Sequence, residues 1–175
     1  MKNNKQLAYI IGVIALVAVT SLFYFNNSSS DINASGNTVT GTPVFQVDTE
    51  EIKLGEIVVQ GDYPANFTVI NNGDAPLEIS KVRTSCMCTY AEIIIGETKS
   101  IEFNMDMDMP NMGTYNYIAA RKWKGTIEPG QSATVRVIYK PYLMPVKGSV
   151  SRNVKFNTND PNKPVVELDV HATVK

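Results

Sequence analysis

Two cysteines, Cys86 and Cys88, stand one residue apart, and five of the six methionines beyond Met1 fall between positions 87 and 112. Thiolate and thioether sulfur are soft ligands that select Cu(I) among the biological metals. Cys86, Cys88, Met105, Met107, Met109, Met112 and Met87 therefore form the ligand pool of a candidate Cu(I) site. Met87 is its weakest member, because strand alternation turns it away from the two cysteines unless a bulge re-aims it. Three fates are open to the cysteine pair: a local disulfide, thiolates on a metal, or two reduced and buried side chains. In an extended strand the two Cα atoms stand about 6.5 to 7 Å apart. That is the outer limit for a bridge, whose Cα separation seldom exceeds roughly 6.8 Å.

The same methionines also fit a packing role. Ile101, Phe103, Met105, Met107 and Met109 share odd parity, against Glu102, Asn104, Asp106 and Asp108. Residues two apart share a face of a strand, so 101–109 reads as a strand with an apolar face, where methionine is a common gap filler. Met144, the sixth methionine, stands apart from the run.

Other chemistry has little footing. The only histidine, His171, lies between Val170 and Ala172, where alternation points it to solvent with no Ser or Cys at a recognisable spacing. No glycine-rich phosphate loop is written. Asp106 and Asp108 with Asp74 or Asp160 lack the shaped loop that supplies calcium with six to eight oxygens, and read as solvated. No catalytic residue is indicated, and the expectation is that the protein is not an enzyme. The formal net charge of −1, from 16 Lys and Arg against 17 Asp and Glu, gives no electrostatic reason for a nucleic-acid partner.

The elements that must position the sulfurs begin with a membrane segment. Residues 7–25, LAYIIGVIALVAVTSLFYF, carry no charge. At about 1.5 Å per residue they nearly cross a hydrocarbon layer of roughly 30 Å. Lys2 and Lys5 precede the segment and Asp31 is the first charge after it, so residues 1–6 are expected in the cytoplasm and the rest outside, in a single-pass arrangement. The apolar run exceeds the roughly 7 to 15 residues of a signal peptide, so it is expected to stay in the bilayer as an anchor. Residues 26–42 are small and polar and read as a flexible tether.

From Pro43 to Lys175 short apolar alternations are punctuated by turn residues, with no helical period. Ala65, Phe67 and Val69 share a face before Asn71-Asn72-Gly73-Asp74; Ala133, Val135, Val137 and Tyr139 follow Glu128-Pro129-Gly130. Val150, Val154 and Phe156 precede Thr158-Asn159-Asp160-Pro161, and Val166, Leu168, Val170, Ala172 and Val174 close the chain. Seven or eight such segments predict an all-β, immunoglobulin-like antiparallel β-sandwich behind one transmembrane helix.

Leu54-Gly55-Glu56-Ile57, Asn72-Gly73-Asp74-Ala75-Pro76-Leu77-Glu78-Ile79, Ser85-Cys86-Met87-Cys88-Thr89, Pro129-Gly130 and Thr158-Asn159-Asp160 occur in the order seen in the bacterial domain of unknown function 1573 family, which this chain resembles from about Val44 to Lys175. That resemblance implies an immunoglobulin-like sandwich of the hydin and major-sperm-protein type and no established activity. Met87 replaces the usual Gly between the cysteines, and Ala91 to Gly125 is longer than the usual connection, forming an insertion. Tyr115, Tyr117, Lys122, Trp123 and Lys124 gather aromatic and basic groups in it, which suits a partner-binding loop or one folded back on the sandwich.

The sequence thus leads to a membrane-anchored extracytoplasmic binding module, with the bilayer, a metal ion and cell-envelope proteins as its partners and Cu(I) as its one candidate cofactor. A metal-free structural or interaction domain, and a thiol redox protein using the two cysteines, remain open beside it.

Overall fold

The computed structural model describes residues 41–105 and 115–175. The expected anchor, nearly all of the expected tether, and Met107, Met109 and Met112 lie outside the described residues. Among the described residues no helix is long and apolar enough to cross a membrane.

Ten strands form two sheets. The first contains β1 (Phe45–Val47), β3 (Tyr63–Asn71), β8 (Ser132–Tyr139), β5 (Thr89–Ile95) and β6 (Thr98–Lys99), in that spatial order. The second contains β2 (Glu51–Ile57), β10 (Val165–Val174), β9 (Gly148–Thr158), β4 (Leu77–Thr84) and β7 (Lys124–Ile127). The sandwich is immunoglobulin-like, as expected, but not wholly antiparallel. Strand β2 runs parallel to β10, with a register shift between His171 and Ala172. Leu54 is the extra, unpaired residue there, and Gly55 beside it takes φ 75°, a backbone state that glycine adopts without a Cβ clash.

The alternation read from the sequence sets the core. Phe67, Val69, Val135, Val137 and Ile93 face Leu77, Ile79, Val154, Phe156 and Leu168 across the two sheets, all essentially without solvent contact. Burying one such side chain stabilises the fold by about 1.5–3 kcal/mol. A smaller cluster closes one end of the sandwich with Ile57, Cys88, Tyr139, Val150, Ala172 and Val174.

The long strand expected over residues 101–109 does not form in its described part. Phe103 bridges Ala91 of β5 and Met105 bridges Thr84 of β4, so the segment crosses from one sheet to the other instead of following either. Phe103 is buried, whereas Met105 has passed beyond the core and is exposed. Here the packing role predicted for Met105 fails. The insertion also holds a helix the sequence did not announce, α1 (Tyr115–Lys122), which packs on β4. Trp123 just after it sits edge-on to Phe103, with ring centroids 5.1 Å apart, and is a packing anchor.

Candidate functional site

The chain between β4 and β5 is a tight turn, not a strand. Thr89 N–H donates to the Cys86 carbonyl at 3.0 Å, and the Thr84 hydroxyl lies 3.1 Å from the Cys86 carbonyl and 2.8 Å from that of Thr89. Outside partners fix it further. Ser85 N–H donates to the Asn153 carbonyl, Lys140 N–H to that of Cys88, and the Asn104 amide to that of Met87. The turn is thus tied to β9, to Lys140 and to Asn104.

The turn overturns the separation expected of an extended strand. The cysteine Cα atoms stand 5.1 Å apart, well inside bridging range, and Cys86 and Cys88 form a disulfide. The two sulfurs differ in access. Cys88 is fully buried, while Cys86 is half-buried and its sulfur accepts the Cys88 backbone N–H at 3.0 Å. Met87, between them at the tip of the turn, is 43% exposed.

A further sulfur arrives from elsewhere in the chain. After β8 a 3-10 turn at Pro141–Leu143 places Met144 Sδ 3.7 Å from Cys86 Sγ. The candidate set named from the sequence left Met144 out. Pro141 and Pro145, which bracket an apolar Tyr-Leu-Met run directly after a strand, were the available signal. Of the predicted ligands, Cys86 and Cys88 are brought together, and Met87 and Met105 both flank Asn104, whose side chain binds the Met87 carbonyl. Among the described residues no group of three or more His, Cys, Asp and Glu side chains is placed to hold a metal, so a site here must draw on thioether sulfur.

Apolar and charged groups surround these sulfurs. Met144 is 49% exposed, and Tyr142, Leu143 and Val146 beside it are exposed as well. Lys140 lies over the Tyr90 ring at 4.4 Å and is 3.8 Å from Asp62 and 4.0 Å from Glu102. Tyr142 is held above the ordinary tyrosine pKa, first by desolvation, then by its hydrogen bond to Asp62 and by that carboxylate's charge. Beneath the turn, in the same cluster as Cys88, the buried Tyr139 hydroxyl has no hydrogen-bond partner among the described residues.

The family described as "Protein of unknown function (DUF1573)" matches residues 45–118. These residues carry the family's pattern. The DUF1573 match ends within α1 and includes the Cys-x-Cys turn, while Pro129-Gly130 and Thr158-Asn159-Asp160, also read from the sequence as family motifs, lie beyond it. No curated protein matches the chain. Among solved structures, a protein of unknown function from Porphyromonas gingivalis W83 superposes with a TM-score of 0.53 at 20% identity, over 81% of this chain and 51% of that one. This chain therefore spans about half the length of that protein, and the likeness is one of fold. The ASH/PapD-like domain 7 of human CEP192 superposes with a TM-score of 0.46 at 9% identity, over 77% of this chain and 87% of that one. The periplasmic chaperone SfaE does so with a TM-score of 0.41 at 12% identity, over 75% and 58%.

Proposed function

We propose that this protein is a non-enzymatic binding module, held at the outer face of the membrane by residues 7–25, whose sulfur-bearing end takes up Cu(I) once Cys86 and Cys88 are reduced. The observation that supports the ligand is convergence: Met144 Sδ lies 3.7 Å from Cys86 Sγ across 58 residues of chain. Two thiolates and a thioether are a soft donor set suited to Cu(I). Bridged sulfurs carry no thiolate charge, so loading follows reduction and releases the thiol protons. The uncharged 19-residue segment with lysines only on its N-terminal side supports the anchor and the orientation.

A second reading, a metal-free contact with a cell-envelope protein at the same end, is favoured by the exposed Tyr142, Leu143 and Val146. The two separate in one experiment. The full-length chain, purified in detergent and reduced under inert gas, is titrated with Cu(I) against a chelator of known affinity, beside the Cys86→Ser/Cys88→Ser variant. Tight, near-stoichiometric binding that the variant loses supports the copper reading. Failure of the wild-type chain to compete ends it and leaves the protein contact.

A further inference from the structure

The disulfide is built asymmetrically, and its two sulfurs have different surroundings. Cys86 is half-buried at the surface, and its sulfur already accepts a backbone N–H from Cys88 at 3.0 Å. A thiolate at that position gains a charge-assisted hydrogen bond that holds its sulfur in place. Cys88 has no exposed surface, so an incoming group reaches the bridge only through Cys86. Its sulfur has the Thr89 hydroxyl 3.9 Å away.

A second, independent feature lies under the bridge. Tyr139 is fully buried, and its hydroxyl has no hydrogen-bond partner among the described residues. An unsatisfied buried donor costs about 1–3 kcal/mol. Disulfide sulfur is a poor acceptor, whereas a thiolate is a strong one. Opening the bridge creates such an acceptor at Cys88, in the cluster that contains Tyr139.

We propose that Cys86–Cys88 is a thiol–disulfide exchange centre that accepts electrons from an extracytoplasmic dithiol, with Cys86 as the attacked sulfur, Cys88 as the leaving thiolate and Tyr139 as the positioning residue that stabilises it. A thiolate of the donor attacks Cys86 Sγ, and a bond forms there as the Cys86–Cys88 bond breaks. The electron pair leaves on Cys88 Sγ, which then takes up a proton. The donor's second thiolate attacks the donor-side sulfur of the mixed disulfide, and Cys86 leaves as a thiolate and is protonated. Two electrons and two protons pass to the cysteine pair, and the donor departs as a disulfide. The exchange stands whether or not the reduced pair then binds copper.

The test uses the full-length chain in detergent. An aromatic disulfide reagent that releases a coloured thiolate is added to the Cys88→Ser and Cys86→Ser variants across a range of pH. Cys86 in the first should react at least tenfold faster than Cys88 in the second, because only Cys86 is reached from solvent. Equal rates, or a faster Cys88, overturn the assignment of the attacked sulfur. The Tyr139→Phe variant is then equilibrated with the wild type in a glutathione redox buffer. Loss of the hydroxyl should shift the equilibrium toward the bridge by about threefold or more, without lowering the thermal stability of the bridged form. An unchanged equilibrium removes Tyr139 from the proposal, since a merely structural hydroxyl would leave the ratio of the two states alone.

Discussion

The two ends of the sandwich are built from the same strands and finished in opposite ways. At one end the polar groups are buried and every named one is used. The Asn71 amide donates to the Ala75 and Ile127 carbonyls, and its oxygen accepts the Val44 and Gly73 N–H groups. Asp160, 2% exposed, accepts the Phe45 and Asn162 N–H groups. Gly73 is obligatory there, because a Cβ would stand 2.2 Å from the Thr42 carbonyl oxygen. At the other end a buried hydroxyl has no partner among the described residues, thioethers face solvent and a half-buried disulfide closes a turn. The satisfied end fixes the fold, and the other end is the one to which the proposed binding and exchange are assigned.

The largest expected effect that sharpens this contrast comes from the satisfied end. Asn71→Ala removes both carbonyl partners from a buried site and should lower unfolding stability by about 3 kcal/mol, read as a fall in the denaturation midpoint. Cys86→Ser/Cys88→Ser opens only a very short loop and should cost about 1–2 kcal/mol relative to the oxidised wild type, with the difference vanishing when both are measured in reductant. Met144→Ala should change stability by less than about 0.5 kcal/mol, as befits an exposed side chain. The same change should weaken Cu(I) binding by about tenfold, the scale of losing one supporting contact at a metal site. If Met144→Ala unfolds the protein while Asn71→Ala does not, the contrast is wrong.

The smallest effect concerns Tyr142. Its folded pKa is raised, so above the ordinary tyrosine range the unfolded chain ionises first, and this group then disfavours the folded state as pH climbs. Below that range it contributes nothing to the pH dependence. Asp62→Asn removes the charge that holds the proton, and an alkaline absorbance titration should show one phenol moving down toward the others.

Strand placement was legible because burial alternates with period two: Ala133, Val135, Val137 and Tyr139 are all buried in one register. The turn motifs were legible too, and Asn72-Gly73-Asp74, Pro129-Gly130 and Thr158-Asn159-Asp160 cluster with Asn71 and Asp160 at the satisfied end. That explains why they spoke of architecture and not of activity. The site was less legible. Cys86 and Cys88 read as strand residues because a two-residue spacing looks alike in a strand and in a turn, and only the Thr84 clamp decides between them. Met144 was invisible as a partner because it reaches Cys86 only after β8 pairs with β5, Tyr139 opposite Thr89. The eight residues of α1 are too few to display a helical period, and the parallel direction of β2 depends on long-range pairing that local pattern does not encode.

The central claim is that the sulfur-bearing end binds and the satisfied end does not. The most direct test is a backbone amide NMR comparison of the reduced full-length chain in detergent before and after one equivalent of Cu(I). The account predicts shifts at Cys86, Met87, Cys88, Tyr139 and Met144, with Asn71, Gly73 and Asp160 unmoved. Shifts confined to the Asn71 end, or none anywhere at an equivalent of metal, would contradict it.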